Sequence, residues 1–430
     1  MTMRLALISF HSCPFSLLGG DGAGGMSVYL RELASAMTKT FDLEIDIFTR
    51  LQWPQIRGIK KVLPKVRVIH LKAGPEKPFD RRLLFELLPE FSENLEDFIF
   101  QEDKKYDLIY SHYWLSGIVG EKLKPVLRVP HVHMYHTMAF LKRRILADNK
   151  EHEKRLEAEE QLAHSCDAVI SSSRQERKNL IKFFDLSPQK VHVIYPGVNA
   201  RLFYPCPSQE VYKETNWQPQ DKILLYVGRI EPVKGLMTII ETLAWLKAEN
   251  KPLYDQLKLA VVGGGRKERE LSSNKEVIKI KQFLRRKNMR GRVFFLGSKK
   301  QNDLKKYYST AEALIVPSLY ESFGLVVIEA LACGTPVLVS QIGEMRNIIR
   351  EGKNGFSFLP NNPLSLGQCL QCFFTEKQNL WSSEKISQKV KERFSWLKTG
   401  EETYRILKDL LAASQPATTI SLPDEKLQPA

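Results

Sequence analysis

A chain of 430 residues, 43% of them hydrophobic, is too long for one ordinary core and suits two domains of about 200 residues, each with its own buried centre. Its formal charge of +15, from 64 Lys and Arg against 49 Asp and Glu, favours anionic partners without choosing among phosphates, nucleic acid and an acidic membrane surface. Six cysteines over this length form no disulfide framework and read as reduced and cytoplasmic, and no stretch reaches the roughly 20 apolar residues that cross a bilayer, so a disulfide-stapled secreted domain and an integral membrane protein are both excluded.

Short apolar runs alternate with longer helical patterns. Strands are predicted at 4–10, 44–50, 66–71, 107–112, 131–136, 168–173 and 192–197, with helices such as Met26–Thr38 and Lys154–His164 between them. The run Leu5 to Phe10 is too short for a signal-peptide core and reads as a buried first strand. The pattern restarts with strands at 223–228, 257–264, 292–297, 312–318 and 335–340, and helices at Gly235–Ala248, Lys275–Lys287, Gln301–Tyr308 and Phe323–Ala332. This alternation is the mark of βαβ units and a parallel sheet. The expected organisation is two doubly wound α/β domains, 1–204 and 205–395, with a boundary in the proline-bearing stretch 205–219, then a helix over 396–413 and a disordered tail over 414–430. The basic pattern 275–292 reads as a solvated helix face, with a membrane-surface patch as the minority reading. Cys369 and Cys372 read as one side of a helix rather than a redox or zinc pair.

The most specific segment is EALIVPSLYESFGLVVIEALACGTPVLVS, residues 312–340. A strand ends at Pro317–Ser318, a loop carries Glu321, and a helix opens near Ser322, Phe323, Gly324 and Leu325 and carries Glu329. Gly324 permits close approach of a ligand to the backbone, and the free amides of the helix start make an anion site. Glu321 is placed to accept from sugar hydroxyls, Glu329 from ribose hydroxyls. A second segment, YVGRIEPVKGL (226–236), puts Arg229 and Lys234 in a strand-to-helix loop at the carboxyl edge of a sheet. A fork-shaped cation and a mobile one together suit a diphosphate leaving group.

A third segment, GGDGAGGMSVYLREL (19–33), is a glycine-rich loop feeding a helix, with Gly24 and Gly25 able to set amides against a phosphate. It fits a dinucleotide fingerprint poorly, because the glycines lie about ten residues past the strand and the second strand ends in Thr49–Arg50 rather than an acidic residue. The fourth group is HYWLSG (112–117) and HVHMYHTMAFLK (131–142). His131, His133 and His136 do not read as a metal cluster, since no carboxylate stands at ligand spacing. Most are packing or hydrogen-bonding residues, and His136, at a strand end, is the one placed to touch substrate.

Taken together, these segments resemble family 4 of the retaining glycosyltransferases, whose GT-B fold sets two Rossmann-like domains face to face. The resemblance covers roughly residues 4 to 412, and ESFGLVVIEALACGTPV and VGRIEPVKG carry most of it. GGMSVYLRELA, HYWLSG, HVHMYHTMAFLK and KRLEAEEQLAHSCDAVISSSRQE further resemble members that act on phosphorylated acceptors. The resemblance implies that Arg229 and Lys234 hold the donor diphosphate, Glu329 the ribose, Glu321 the transferred sugar, Gly25 the donor phosphates, and that His136 lies beside the anomeric centre. Lys142 and Arg155 match acceptor-phosphate residues, with Tyr113 and Thr137 in the same pocket. It also implies a nucleotide-sugar donor, UDP-linked, with no separate cofactor, no metal and no nucleic-acid partner, and a closing cleft that excludes water. Two features depart from the pattern: Gly343–Glu344 stands where relatives often have two glycines, and 75–102 is unplaced. A nucleotide-sugar epimerase and a non-catalytic sugar-nucleotide sensor fit the same fold. Presence of Lys142 and Arg155 speaks against the first, and presence of Arg229, Lys234 and Glu321 against the second.

Overall fold

The computed structural model describes residues 2–15, 24–77, 79–145, 153–206, 210–212, 217, 218, 220–265 and 268–414. Residues 3–193 build one sheet from β1 (Met3–Ile8), β2 (Leu43–Arg50), β3 (Gly58–Leu63), β4 (Val66–Leu71), β5 (Leu108–His112), β6 (His131–Met134), β7 (Ala168–Ser171) and β8 (Val191–Val193). Their order is β3-β4-β2-β1-β5-β6-β7-β8, parallel except for β3. A second, all-parallel sheet holds β9 (Lys222–Val227), β10 (Leu257–Val262), β11 (Val293–Gly297), β12 (Ala313–Val316), β13 (Val337–Ser340) and β14 (Gly355–Phe358), in the order β11-β10-β9-β12-β13-β14.

Continuous apolar runs form these strands because both faces are covered by helices. Alternate residues feed opposite cores: Leu5, Leu7 and Ile45 on one side of the first sheet, Ala6, Ile8 and Phe48 on the other. In each sheet the strand order reverses once, between β1 and β5 and between β9 and β12. The crevice at the carboxyl ends of such a reversal is where open α/β sheets bind ligands.

Two strands were not anticipated. The edge strand β3 (GIKKVL) is exposed over its first four residues, so it carries no apolar run, and its lysines guard an open edge. Strand β14 has four residues and starts at Gly355, where a Cβ would sit 2.0 Å from the Val337 carbonyl oxygen. The unplaced segment 75–102 is a 3-10 turn, Arg81–Leu87, running into the helix Leu88–Gln101. It lays Leu84, Leu88, Phe91 and Leu95 on the first sheet.

The stretch 205–219 lies between the two sheets, and Val211 and Trp217 within it join the second sheet's core; its residues 207–209, 213–216 and 219 fall outside the described residues. The helix Ser383–Arg393 packs on the helix Leu325–Ala332, with the Ser387 hydroxyl donating to the Ala332 carbonyl at 2.6 Å. The helix Trp396–Ser414 then returns to the first sheet, where Ile406 and Leu407 join the core with Leu30, Leu33 and Met37. Phe41 stacks on Tyr404 at 3.9 Å. At the crossing, Val198 bridges to Ser395, and Gly197 is required because a Cβ there would lie 2.1 Å from the Trp396 amide nitrogen. The expected tail lies, from residue 415 on, outside the described residues. Cys369 is buried and Cys372 half-buried on the helix Pro363–Glu376. The helix Lys275–Arg286 buries Val277, Ile280 and Leu284 and exposes its basic face.

Candidate active site

Beyond β9 the chain is pinned before it reaches its first functional residue. The Tyr226 hydroxyl donates to the Arg229 carbonyl at 2.6 Å, and the Gly228 amide donates to the Val262 carbonyl. Arg229 projects into solvent and pairs with Glu231 at 2.7 Å. A 3-10 turn, Pro232–Lys234, ends at Gly235 with φ +67°. A Cβ at Gly235 would lie 2.0 Å from the Pro317 carbonyl oxygen, so only glycine lets this loop close against the end of β12. The result sets Lys234 Nζ 2.5 Å from Glu321 Oε2, and the Ser318 hydroxyl reaches the same oxygen at 3.5 Å. Both side chains of the pair are about one-fifth exposed, so a ligand entering there meets a cation and an acceptor already in register.

Gly324, at φ +93°, opens the helix Leu325–Ala332, and no side chain caps that start. Across the cleft, Gly24 opens the helix Gly25–Thr40, also without a side-chain cap. The two starts meet: a Cβ on Gly25 would touch the Leu325 side chain at 3.6 Å. Two helix N-termini that start on glycine, with no side-chain cap among the described residues, bring partial positive charge and free amides close together. Four residues past Leu325, Glu329 is 8% exposed and accepts from the Tyr308 hydroxyl at 2.9 Å. Burial raises its carboxyl from 4.5 to about 7, against the hydrogen bonds from Tyr308 and Gln301. Gln301 in turn accepts from Arg31 at 2.5 Å, which ties the glycine-rich helix to the other half.

His112 ends β5 and His136 lies two residues past β6, and the register pairs His112 with Met134. The two imidazoles thus come to one side, His112 Nδ1 lying 3.0 Å from His136 Nε2. His136 adopts φ +59°, and its carbonyl accepts from the Ser322 hydroxyl of the second half. The Met138 amide donates to the Tyr320 hydroxyl at 3.1 Å. Burial pushes the His136 imidazole down to about 3, so the ring is neutral. Beside it, Arg155 donates to the Thr137 carbonyl and hydroxyl at 2.9 and 3.1 Å, stacks 4.9 Å from the Tyr113 ring, and pairs with Glu159 at 2.7 Å.

The family described as Glycosyl transferases group 1 matches residues 208–393, and Glycosyltransferase Family 4 matches residues 23–202. A D-inositol 3-phosphate glycosyltransferase from Streptomyces bingchenggensis (strain BCW-1) is 32% identical over 404 residues, 93% of this chain and 88% of the relative. This chain is a family 4 glycosyltransferase. A sucrose-phosphate synthase from Thermosynechococcus elongatus superposes with a TM-score of 0.85 at 31% identity, over 96% of the glycosyltransferase and 100% of that chain. HepE of Anabaena, solved with UDP-glucose, has a TM-score of 0.72 at 18% identity over 95% of this chain and 100% of its own, which supports the GT-B fold alone.

Within the glycosyltransferase, Gly24, Gly25, Lys234, Glu321, Ser322, Gly324, Leu325 and His136 gather around one cleft. Several expectations change in detail. Phe323 is 3% exposed, its ring against Tyr195 and Phe394, so it offers a ligand only its backbone. Arg155 is 3% exposed and bound to a carboxylate that is 1% exposed. Much of its charge is therefore answered inside the protein, and it organises Thr137 and Tyr113. Lys142 sits on the next helix, Ala139–Ile145, half-buried, beside residues 146–152 that lie outside those described. Glu344, part of the departure from the family pattern, is 1% exposed and turns to the first half, where it accepts from the Arg174 amide at 3.2 Å. Gly343 makes the close approach instead: its Cβ would lie 2.8 Å from the Glu321 carbonyl oxygen. His131 and His133 are fully buried and share the Ser111 hydroxyl. Sequence reasoning missed Arg31, Gln301, Tyr308 and His112, none of which stands in a strand-end loop with charge spacing to mark it. Among the described residues no helix is long and apolar enough to cross a membrane.

Proposed function

We propose that this glycosyltransferase moves a hexose or N-acetylhexosamine, with retention of anomeric configuration, from a UDP-linked sugar to a small phosphorylated polyol or sugar. The observation that carries the reading is the meeting of two helix N-termini that start on glycine, Gly24 and Gly324, beside Lys234 and Glu321. That arrangement suits a diphosphate bonded to a sugar. The amides after Gly24 and Gly324, with Lys234 and a swung Arg229, hold the diphosphate. Glu321 accepts from hydroxyls of the transferred sugar, Glu329 from the ribose, and His136 flanks the sugar. Tyr113, Thr137, Lys142 and Arg155 line the acceptor pocket. The relatives named for an inositol phosphate and a sucrose phosphate support a phosphorylated acceptor.

In this reading the anomeric carbon–oxygen bond breaks as the acceptor oxygen attacks from the same face. The acceptor proton passes to the departing diphosphate oxygen. The protein supplies position and a fixed positive field for the charge developing on that diphosphate. The test is calorimetry with UDP, GDP and ADP, then their sugars, with and without inositol phosphate or a hexose phosphate. Binding of one nucleotide sugar, strengthened by one phosphorylated acceptor, is expected. No binding of any nucleotide would overturn the donor assignment, and indifference to every phosphorylated acceptor would overturn the acceptor assignment.

A further inference from the structure

His112 and His136 approach at a single nitrogen pair, 3.0 Å apart, and one proton must lie between them. Burial drives both rings toward neutrality, so each carries one N–H. Two arrangements are possible. If His136 Nε2–H donates, His112 holds its own proton on Nε2. That atom is fully buried and has no hydrogen-bond partner among the described residues. A buried N–H without an acceptor forfeits a whole hydrogen bond, and orphaned N–H groups are rarer in proteins than under-used acceptors. If instead His112 Nδ1–H donates, Nε2 is only a bare lone pair beside the rings of Tyr29 and Tyr110. The second arrangement is the cheaper.

The neighbouring strand accommodates the same arrangement. Glu121 accepts from His131 Nδ1, and that carboxyl is held below its usual range, partly by this bond. With His131 neutral and donating to Glu121, its Nε2 accepts from the Ser111 hydroxyl at 2.6 Å, and Ser111 accepts from His133 Nδ1–H at 2.7 Å. This leaves His133 Nε2 as a buried lone pair without a partner among the described residues. In that tautomer a bare Nε2 is also what the core holds one strand away.

We infer that His112 is a positioning residue that fixes His136 in the tautomer protonated at Nδ1, so that His136 offers its ligand a hydrogen-bond donor and no base. The matching ligand group is an oxygen with a free lone pair, which on the transferred sugar is a hydroxyl. This rests on the reading that His136 touches that sugar. With its one lone pair occupied by His112, His136 takes no proton from the acceptor, which leaves the departing diphosphate oxygen as the group that does.

The test has a spectroscopic and a kinetic arm. In the full chain, with nitrogen-15 in its histidines, two-bond proton–nitrogen correlations are expected to show His136 with Nδ1 protonated and Nε2 bare. His136→Ala assigns the resonances. In His112→Phe the fixed tautomer is expected to be lost and transfer to fall by about 100-fold, the size of effect that misplacing a reacting group produces. His112→Asn, whose amide donates from nearly the same point, is expected to restore both. A protonated Nε2 on His136 in the unaltered protein overturns the inference, whatever the kinetics. So does a folded His112→Asn that restores neither signal nor turnover. Full transfer by His136→Ala would instead overturn the contact of His136 with the sugar and leave the tautomer measurement standing.

Discussion

Glu329→Gln isolates the consequence of burying a carboxyl. The group is 8% exposed and its pKa moves from 4.5 to about 7. Because the folded value lies above the unfolded one, the native state holds the proton more tightly. That contribution is complete below pH 4.5 and is lost as pH rises through 7. Glutamine keeps the oxygen that accepts from Tyr308 but cannot ionise. At about 1.4 kcal/mol per decade of proton concentration, the variant is expected to gain about 2.5 kcal/mol on the natural chain between pH 5 and pH 8. Urea unfolding of both proteins at the two pH values measures this, and every other titration cancels in the difference. A constant difference across that range would refute the assignment. In the proposed ribose role Glu329 must be charged, so UDP binding is expected to release a proton near neutral pH, seen as a dependence of the calorimetric heat on buffer ionisation.

Lys234→Met is expected to lower turnover by about 100-fold or more, since one fixed charge at a developing anion is worth that much, with folding intact; steady-state kinetics beside a thermal melt checks it. Arg155→Ala is expected to cost about 3–5 kcal/mol, because it takes the cation away from the buried Glu159 carboxyl; Arg155→Met with Glu159→Gln is expected to recover most of that in urea melts. Gly235→Ala meets the Pro317 carbonyl and needs φ +67°, so it is expected to separate the Lys234 loop from β12 and abolish donor binding in calorimetry while far-ultraviolet dichroism stays native.

Twelve of the fourteen strands among the described residues announce themselves because both faces of a parallel sheet are apolar, which writes unbroken runs into the sequence. β3 does not, since an edge strand needs no such run. β14 is too short to register. The helix Leu88–Gln101 carried a readable pattern in Leu84, Leu88, Phe91 and Leu95, but the prolines before and inside it masked its start. At the site, Lys234 and Glu321 could be read as neighbours because each stands in a loop directly after a strand, where chain order and sheet order agree, whereas Arg229, in the same loop as Lys234, pairs with Glu231 instead. Arg31 and Gln301 meet across 270 positions of chain, and His112 reaches His136 only through the β5–β6 register, so no local pattern records either contact. Glu344 was legible as a departure, but its direction depends on the docking of one half against the other.

The return of the helix Trp396–Ser414 to the first half has a consequence for the order in which the protein is made. Ile406 and Leu407 complete a core whose other members, among them Leu5, Leu30 and Met37, leave the ribosome far earlier. The first half therefore waits, with an apolar stripe along the helix Gly25–Thr40 uncovered, until the helix Trp396–Ser414 has been synthesised. Its last folding step closes only after the second half has emerged, so a polypeptide stopped near Ser395 would be a substrate for chaperones rather than a working half-enzyme.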